Sequence, residues 1–269
     1  MNILFIGDIV GRPGRAAVKE VLPKLKEELK LDLVLANGEN LAHGIGMSLD
    51  TYQEMREAGI DYFTSGNHIY KRRDFTPHLD NPEIRVIRPL NYPVGDPGRG
   101  FVKFKVKNKV ILLINIIGRA FFSEQFDDPY RAIDSVLAKE KHDIAIVDHH
   151  AEATSNKMIM GHYLDGRIQA YIGTHTHIPT ADAMILPKGT AYITDVGMVG
   201  PLHSSLGGDL ATFTDAELTQ MPFQYKIGSG DIVFSAVHIE IDDKNNKPVN
   251  ITLIRKVLKR SMIHGGDYE

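Results

Sequence analysis

The 269-residue chain contains no cysteine and no tryptophan. The lack of cysteine excludes disulfide frameworks, thiolate nucleophiles, iron–sulfur clusters and cysteine-based zinc sites. The chain does contain twelve histidines. Any metal site in this protein must therefore be built from imidazole and oxygen ligands.

Long apolar runs and an excess of one charge are also absent. The longest apolar stretch, 110–114 followed by Ile116 and Ile117, is far too short to span a bilayer. The first ten residues carry an acid at position 8 and no basic flank, which predicts a strand and not a signal peptide. Lys and Arg number 31 against 34 Asp and Glu, which argues against a strongly basic nucleic-acid or membrane surface. We expect a cytoplasmic protein without a membrane or stable nucleic-acid partner, and a homo-oligomer stays open.

The first third of the chain alternates between strand and helix patterns. Short apolar runs at Asn2–Ile6, 32–36 and 62–65 are typical of buried parallel strands. Between them, apolar residues recur at helical spacing over 18–29, and Ser48 can cap a second helix. This alternation predicts a parallel sheet built by right-handed crossovers, and hence an α/β fold.

The rest of the chain mixes antiparallel strands with further helix patterns. The predicted elements are a hairpin over 101–106 and 109–114, a helix over Pro129–Lys139, strands at 144–147 and 168–172, a helix near 215–220, and antiparallel strands at Ile232–Ile241 and 249–257. No segment has the composition of a linker, so we expect one domain over residues 1–269.

Polar side chains follow five of the predicted strands at the point where each strand ends. In open α/β sheets, ligands bind outside the carboxyl ends of the strands, so these side chains can converge on one crevice. They are Asp8, the segment Asn37 to Asn40, Asn67 with His68, the segment Asp148 to His150, and His175 with His177.

The pair His175 and His177 is the strongest single signal for a metal. Residues two apart in extended backbone share a face, so both imidazoles can reach one ion. By the same rule, at least one of the neighbours His149 and His150 must point away from the site.

Two further sets of residues are weaker candidates. The glycine-rich segment 7–15 matches neither a dinucleotide nor a P-loop motif, so it is interpreted as a crossover turn, in which Arg12 or Arg15 could touch a substrate anion. Asp148, Asp165 and Asp195 could orient a histidine ligand, although capping or surface roles are commoner for such residues.

This residue set is suited to phosphoester hydrolysis. Two metal ions about 3.5–4 Å apart can clamp a phosphoryl group and hold a bridging hydroxide as the nucleophile. A site with several imidazoles and no thiolate suits iron, manganese or zinc better than calcium or magnesium. A histidine beside the ions, but not bound to them, can protonate the leaving alkoxide.

The motifs resemble those of the calcineurin-like metallophosphoesterases, and in particular the YmdB-like phosphodiesterases. The resemblance rests on the segments FIGDIVGRPGR, NGENLAHG, DHHAEATS and GTHTHIPTADAMILPKGTAYITDVGM, and it is specific up to about residue 200. It implies a four-layer α/β/β/α sandwich with mixed sheets. It also implies a dinuclear metal-dependent phosphodiesterase, a phosphoric ester hydrolase whose substrates are 2′,3′-cyclic nucleotides.

The resemblance also implies roles for eight residues. Asp8, Glu39, Asn40 and His177 would hold the first metal, and Glu39 would bridge to a second metal held by Asn67, His150 and His175. His68 would be the proton donor in an attack by a metal-bridging hydroxide. Iron or manganese is the expected metal, with zinc as a further option.

The chain departs from the broader superfamily at three places. Val10 stands where a histidine is usual, Glu39-Asn40 replaces an aspartate motif, and Ile69 stands where an acid is common. Two alternatives stay open. One is an amidohydrolase-type metal hydrolase, which would carry its His-x-His motif on the first barrel strand. The other is a regulatory protein that binds metal or nucleotide with little turnover.

Overall fold

The structure, a computed structural model, describes residues 1–262. Its helices are α1 (Gly11–Leu29), α2 (Leu49–Glu57), α3 (Pro129–Lys139), α4 (Thr154–Leu164) and α5 (Leu210–Thr219), with short 3₁₀ turns at Thr76–His78 and Arg260–Met262. Its strands are β1 (Asn2–Ile6), β2 (Asp8–Ile9), β3 (Leu33–Asn37), β4 (Tyr62–Thr64), β5 (Phe101–Val106), β6 (Lys109–Ile117), β7 (Ile144–His150), β8 (Ala170–Thr174), β9 (Met184–Ile185), β10 (Ala191–Ile193), β11 (Met198–Pro201), β12 (Ile232–Ile241) and β13 (Pro248–Leu258).

The strands form two mixed sheets. The first has the order β2-β11-β12-β1-β3-β4, with β13 paired to β12, and its members β1, β3 and β4 run parallel. The second has the order β5-β6-β7-β8-β10-β9, in which β6, β7, β8 and β10 run parallel between antiparallel edges. In both sheets, the central parallel strands have their carboxyl ends on the side of the molecule where the polar clusters lie.

Alternate residues of each sheet face different cores, and this produces four layers. Phe5 and Leu113 belong to an apolar core between the two sheets. Leu4, one residue from Phe5, packs with Leu22 of α1 in a second core, and Leu112 packs with Met160 of α4 in a third. The order is therefore helices, sheet, sheet, helices, which confirms the predicted α/β/β/α sandwich with mixed sheets.

Two glycines allow the backbone to pack closely behind the polar clusters. A Cβ atom on Gly7, directly after β1, would lie 2.0 Å from the carbonyl oxygen of Gly197. A Cβ on Gly173 of β8 would lie 1.7 Å from the carbonyl oxygen of Thr194. Larger residues would push these strand ends apart, so glycine here keeps the site compact.

The structure corrects several details of the sequence prediction. The segment 7–15 is not a crossover turn throughout, because α1 already begins at Gly11 and tolerates Pro13 in its first turn. Helix α4 was not predicted because apolar residues such as Ile159 face solvent and blur its periodicity. The short strands β2, β9, β10 and β11 were also missed. Within residues 1–262, none of the helices combines the length and apolar character needed to cross a membrane.

Candidate metal centre at the carboxyl ends of the strands

Five strand ends bring the predicted site residues to one place. Asp8 follows β1, Glu39 and Asn40 follow β3, and Asn67 and His68 follow β4. From the facing sheet, His150 ends β7, and His175 and His177 follow β8. The two sheets therefore contribute ligands from opposite sides of one crevice.

Glu39 lies in the middle of this crevice and is almost fully buried. Its Oε1 atom is 3.1 Å from Nε2 of His150 and 3.5 Å from Nδ1 of His68. Its Oε2 atom accepts a hydrogen bond of 3.3 Å from the backbone N–H of His68. One carboxylate thus faces imidazoles from both sheets, as a bridging ligand would.

His150 and His175 complete a compact set of donors with Glu39. Nε2 of His150 is 2.9 Å from Nδ1 of His175. One ligand atom from each of the three residues lies within 4.8 Å of the other two, which is close enough for one metal ion. This trio is a candidate metal-binding cluster.

Asp8 lies at the other end of the crevice and is fully buried. Its Oδ2 atom accepts a hydrogen bond of 3.2 Å from the backbone N–H of His175. Its Oδ1 atom is 3.7 Å from Nε2 of His177 and has no hydrogen bond within the described part of the chain. Asp8 therefore joins both histidines of the His-x-His motif.

Asn40 connects the Asp8 end of the crevice with His68. Its side-chain oxygen is 2.8 Å from Nδ1 of His68, and its nitrogen is 3.2 Å from Nε2 of His177. Seven of the eight predicted site residues consequently form one continuous network of polar contacts. Asn67 is the exception, because its side chain makes no polar contact with them among residues 1–262 and its Oδ1 atom is buried without a partner.

The backbone of the His-x-His segment differs from the prediction. His175 and His177 have positive φ angles of 99° and 63°, so the segment is not extended and the expected shared strand face is wrong. Such angles are unfavourable for residues with side chains and need support from their surroundings. Asp195 provides it by accepting hydrogen bonds from the N–H and hydroxyl of Thr176 at 3.1 and 2.7 Å.

A buried polar layer supports His150 from behind. Its Nδ1 atom is 2.9 Å from the hydroxyl oxygen of Thr174, which donates to Asp148 at 2.7 Å. Asn37 also donates to Asp148, at 3.2 Å. Burial raises the pKa of Asp148 to about 7. Asp148 and Asp195 therefore act through groups that touch the site, whereas Asp165 binds the backbone N–H groups of Lys188 and Thr190 elsewhere.

His149 is the neighbour that points away from the crevice, as the alternation of side chains predicts. Its Nδ1 atom is 2.6 Å from the hydroxyl of Tyr171. Burial lowers the pKa of His149 to about 3, so this imidazole is neutral at physiological pH.

Two contacts to the site were missed by sequence reasoning. Oε2 of Glu152 is 3.0 Å from Nε2 of His175. Its position two residues after His150 was the sequence feature that could have identified it as a neighbour of the site. The carbonyl of Leu206 accepts a hydrogen bond of 2.8 Å from Nδ1 of His177. No local sequence pattern marks a backbone carbonyl in the irregular 200–230 segment, which this contact brings next to the candidate site.

The charges in the crevice shift one another's pKa values. Burial alone would raise the pKa of Asp8, but its interaction with the nearby imidazole of His177 outweighs burial and lowers that pKa. Burial would lower the pKa of His177, but its interaction with Asp8 raises it to about 9. Burial and the charge of His150 lower the pKa of His175 to about 3. The crevice therefore favours a proton on His177, which faces Asp8, and disfavours one on His175.

The donor set fits a metal ion. Oδ1 of Asp8 and Oδ1 of Asn67 are buried oxygen acceptors without a hydrogen bond in the described structure, and such groups are costly unless a ligand pairs with them. Gly66 leaves room beside Glu39 and His150, since a Cβ there would lie 2.2 Å from an atom of each. Imidazole, carboxylate and amide oxygens are suitable ligands for first-row transition metals.

Comparisons with known proteins identify the family. The model of the YmdB-like protein family matches residues 4–254. The 2′,3′-cyclic-nucleotide 2′-phosphodiesterase of Bacillus subtilis (strain 168) is 43% identical over 256 residues, covering 94% of this chain and 96% of that protein. The structure of a novel phosphatase from Mycoplasma pneumoniae is 32% identical with a TM-score of 0.91, covering 96% of this chain and 94% of that one.

A more distant structure shows the fold alone. The calcineurin-like phosphoesterase YfkN of Bacillus subtilis is 11% identical with a TM-score of 0.56, covering 95% of this chain and 90% of that one. The names of the two closer relatives agree with the predicted phosphoric ester hydrolase. Within residues 1–262 the strands form two stacked sheets and not a barrel, which does not fit the amidohydrolase alternative. The chain belongs to the YmdB-like protein family, as its motifs predict.

Proposed function

We propose that the protein is a dinuclear metal-dependent phosphodiesterase that hydrolyses 2′,3′-cyclic nucleotides. The observation that carries the proposal is the network of seven polar residues from five strand ends, centred on buried Glu39. The substrate class is supported by the name of the 43% identical relative.

We assign six of the metal ligands by their contacts in the crevice and the seventh, Asn67, by its motif, since its buried Oδ1 atom has no hydrogen-bond partner among residues 1–262. Asp8, Asn40 and His177 would hold one ion, and Asn67, His150 and His175 the other, with Glu39 shared between them. Iron or manganese suits these nitrogen and oxygen ligands, and zinc is a further option. Bound ions would supply Lewis-acid polarisation of the phosphoryl group and an activated water.

The charge of the ligand set favours a phosphate substrate. Only two of the seven proposed ligands, Asp8 and Glu39, are carboxylates, and the asparagines add oxygen ligands without charge. Two divalent cations would exceed the charge of two carboxylates, so the loaded crevice would attract an anion.

His68 would donate the proton to the leaving oxygen. Its Nδ1–H can donate to the side-chain oxygen of Asn40 at 2.8 Å, which fixes the ring and leaves Nε2 to face the substrate. Its side chain is 26% exposed, so it can reach a ligand in the crevice. A held but accessible imidazole can donate a proton to a leaving group.

Hydrolysis by defined metal forms of the protein tests the proposal. Chelator-treated protein would be reloaded with manganese, iron or zinc and assayed with 2′,3′-cyclic AMP and with p-nitrophenyl phosphate, a monoester. We expect metal-dependent hydrolysis of the cyclic diester that exceeds hydrolysis of the monoester, and we expect it unchanged by His162→Ala, an exposed histidine on α4. Nucleotide binding without turnover in every metal form would instead favour the regulatory alternative.

Three expectations from the sequence stay predictions. They are the cytoplasmic location, the single domain over residues 1–269 and the choice between a monomer and a homo-oligomer. Sedimentation of the purified protein would decide the oligomeric state, and imaging of a tagged chain would decide the location.

A further inference from the structure

A second cavity lies on the other side of the loop that carries Asn40. It has a volume of about 650 Å³, which lies within the range of small-molecule sites. The first turns of α1 and α2 and the segment 225–229 line it, and none of the eight predicted site residues does. It is therefore a separate compartment from the candidate metal centre.

We propose that this cavity binds a phosphate-bearing ligand of nucleotide size, with Arg12 and Lys226 on the phosphate and Tyr225 beside the base. The proposal does not rest on the proposed hydrolysis, because it concerns residues and space outside the metal centre.

The cavity has more cations than anions. Four of its lining side chains are cationic, and two are carboxylates: Arg12, Arg15, Arg72 and Lys226 against Asp50 and Glu54. The side chain of Glu54 is already neutralised, since its oxygens lie 2.5 Å from Nε of Arg15 and 2.6 Å from Nζ of Lys19. The remaining charge favours an anionic ligand.

Arg12 and Lys226 are the cations left available. Both are exposed, and neither forms an ion pair within residues 1–262, although the charge of Lys226 acts on Asp209. Arg15 is held by Glu54, and Arg72 lies 3.3 Å from Asp74. An arginine and a lysine without carboxylate partners can therefore pair with a phosphate group.

The start of α1 adds to this positive charge. Its N-cap residue, Val10, has no side-chain cap, and its first turn contains no acid. By contrast, Ser48 caps α2, and Asp50 lies in its first turn. The end of α1 beside Arg12 therefore has no acidic side chain, so the helix dipole favours an anion there.

Tyr225 gives the cavity an aromatic wall that suits a nucleoside. Tyr225 is half-buried with its ring against Gly44, where a Cβ would lie 2.7 Å from Cε1 of the ring. Gly44 has φ +81°, so glycine is favoured on both grounds. An aromatic wall can stack on a nucleobase, and the exposed carboxylate of Asp50 can accept hydrogen bonds from ribose hydroxyl or base amino groups.

The cavity and the metal centre share one wall. The N–H of Gly11 donates to the carbonyl of Asn40 at 2.9 Å, and Ala42 and His43, which follow Asn40 closely, line the cavity. Two sources of the phosphate fit this position. It can belong to a longer substrate whose cyclic end reaches the metal centre, or to a separate nucleotide.

Calorimetric titration with AMP tests the site in chelator-treated protein, in which metal ions cannot bind the phosphate. We expect one AMP per chain and binding of adenosine at least about tenfold weaker, because adenosine lacks the charged group. The double variant Arg12→Ala/Lys226→Ala should weaken AMP binding by at least about tenfold. The matched variant Arg131→Ala/Lys139→Ala, with two exposed cations of α3 removed, should not.

Equal binding of adenosine and AMP to the wild-type chain, or no binding of AMP, would overturn the proposal without any variant. Unchanged AMP affinity in Arg12→Ala/Lys226→Ala would overturn it as well.

A comparison of kcat/KM for 2′,3′-cyclic AMP with and without a 5′-phosphate then separates the two sources of the phosphate. If the wild type has the higher kcat/KM for the 5′-phosphorylated substrate and the double variant loses this preference, the phosphate belongs to a longer substrate. If AMP binds but the 5′-phosphate does not change kcat/KM, the phosphate belongs to a separate nucleotide. Failure of all hydrolysis would affect only the proposed function.

Discussion

The buried ammonium group of Lys157 lies 2.6 Å from Oδ2 of Asp195, and the same carboxylate holds the segment between the two histidines of the His-x-His motif. Both side chains are shielded from water. Because His175 and His177 adopt positive φ angles, the segment needs such a fixed partner to keep both imidazoles in the crevice. Lys157 is therefore a positioning residue that acts through Asp195.

Replacing Lys157 by methionine should weaken metal binding. The substitution keeps an unbranched apolar side chain but leaves the buried carboxylate of Asp195 without its cation, which costs about 3–5 kcal/mol in comparable cases. We expect the metal affinity, measured by competition with a chelator, to fall by about 10–100-fold. Asp165→Asn provides the control, since it changes another buried acid that has no contact with the histidines. Equal metal affinity in Lys157→Met and the wild type would refute the role of the pair.

Replacing Gly66 by alanine should empty the metal centre. The added Cβ would lie 2.2 Å from Oε2 of Glu39 and 2.2 Å from Nε2 of His150, so both groups must move. We expect a large loss of bound metal by elemental analysis, together with about 1–3 kcal/mol of lost stability. Gly95→Ala is the control: its φ of 99° is unfavourable for alanine, but its Cβ would meet nothing within 4 Å. A metal-loaded Gly66→Ala protein would show that Glu39 and His150 are not ligands.

Replacing His68 by alanine should leave the metal in place. A lost general acid lowers the rate by about 10²–10⁴-fold, and the loss should be largest for substrates with poor leaving groups. Elemental analysis and kcat for an activated and an unactivated diester would measure both effects. If metal were lost from His68→Ala but not from His162→Ala, His68 would be a ligand and not the proton donor.

Metal binding should release protons at neutral pH. Although burial opposes it, the contact with Asp8 raises the pKa of His177 to about 9, so this imidazole carries a proton when no metal is bound. An imidazole must be neutral to bind a metal, so binding below pH 9 displaces this proton, and release declines as the pH rises through 9. Calorimetry in buffers with different ionisation enthalpies should show about one proton or more released per chain at pH 7. Equal heats in all buffers would contradict the assignment of His177 as a ligand.

The strand ends of the site could be predicted because the sequence pattern is local. Each of β1, β3 and β4 is an apolar run directly followed by polar residues, and parallel strands place such ends together. The structure confirms these strands to within a residue or two. The ligand roles drawn from the same clusters, including that of Asn67, stay predictions.

The sequence marks Asp148 and Asp195 as residues that could orient a histidine, but the ion pair of Asp195 with Lys157 could not be predicted because it joins distant segments. Lys157 and Asp195 are 38 residues apart, and neither stands in a motif that marks a buried ion pair. The backbone at His175 and His177 was predicted as extended because spacing alone does not reveal a positive φ angle. The early start of α1 was hidden by glycine and proline, which usually interrupt helices.

Metal titration with parallel assay tests the central claim most directly. Chelator-treated protein would receive manganese or iron in steps while bound metal and hydrolysis of 2′,3′-cyclic AMP are followed, in the wild type and in Glu39→Gln. We predict that activity rises to a plateau at two equivalents per chain, and that Glu39→Gln weakens both equivalents together because Glu39 would serve both ions. Hydrolysis by metal-free protein, or loss of only one equivalent in Glu39→Gln, would contradict the account.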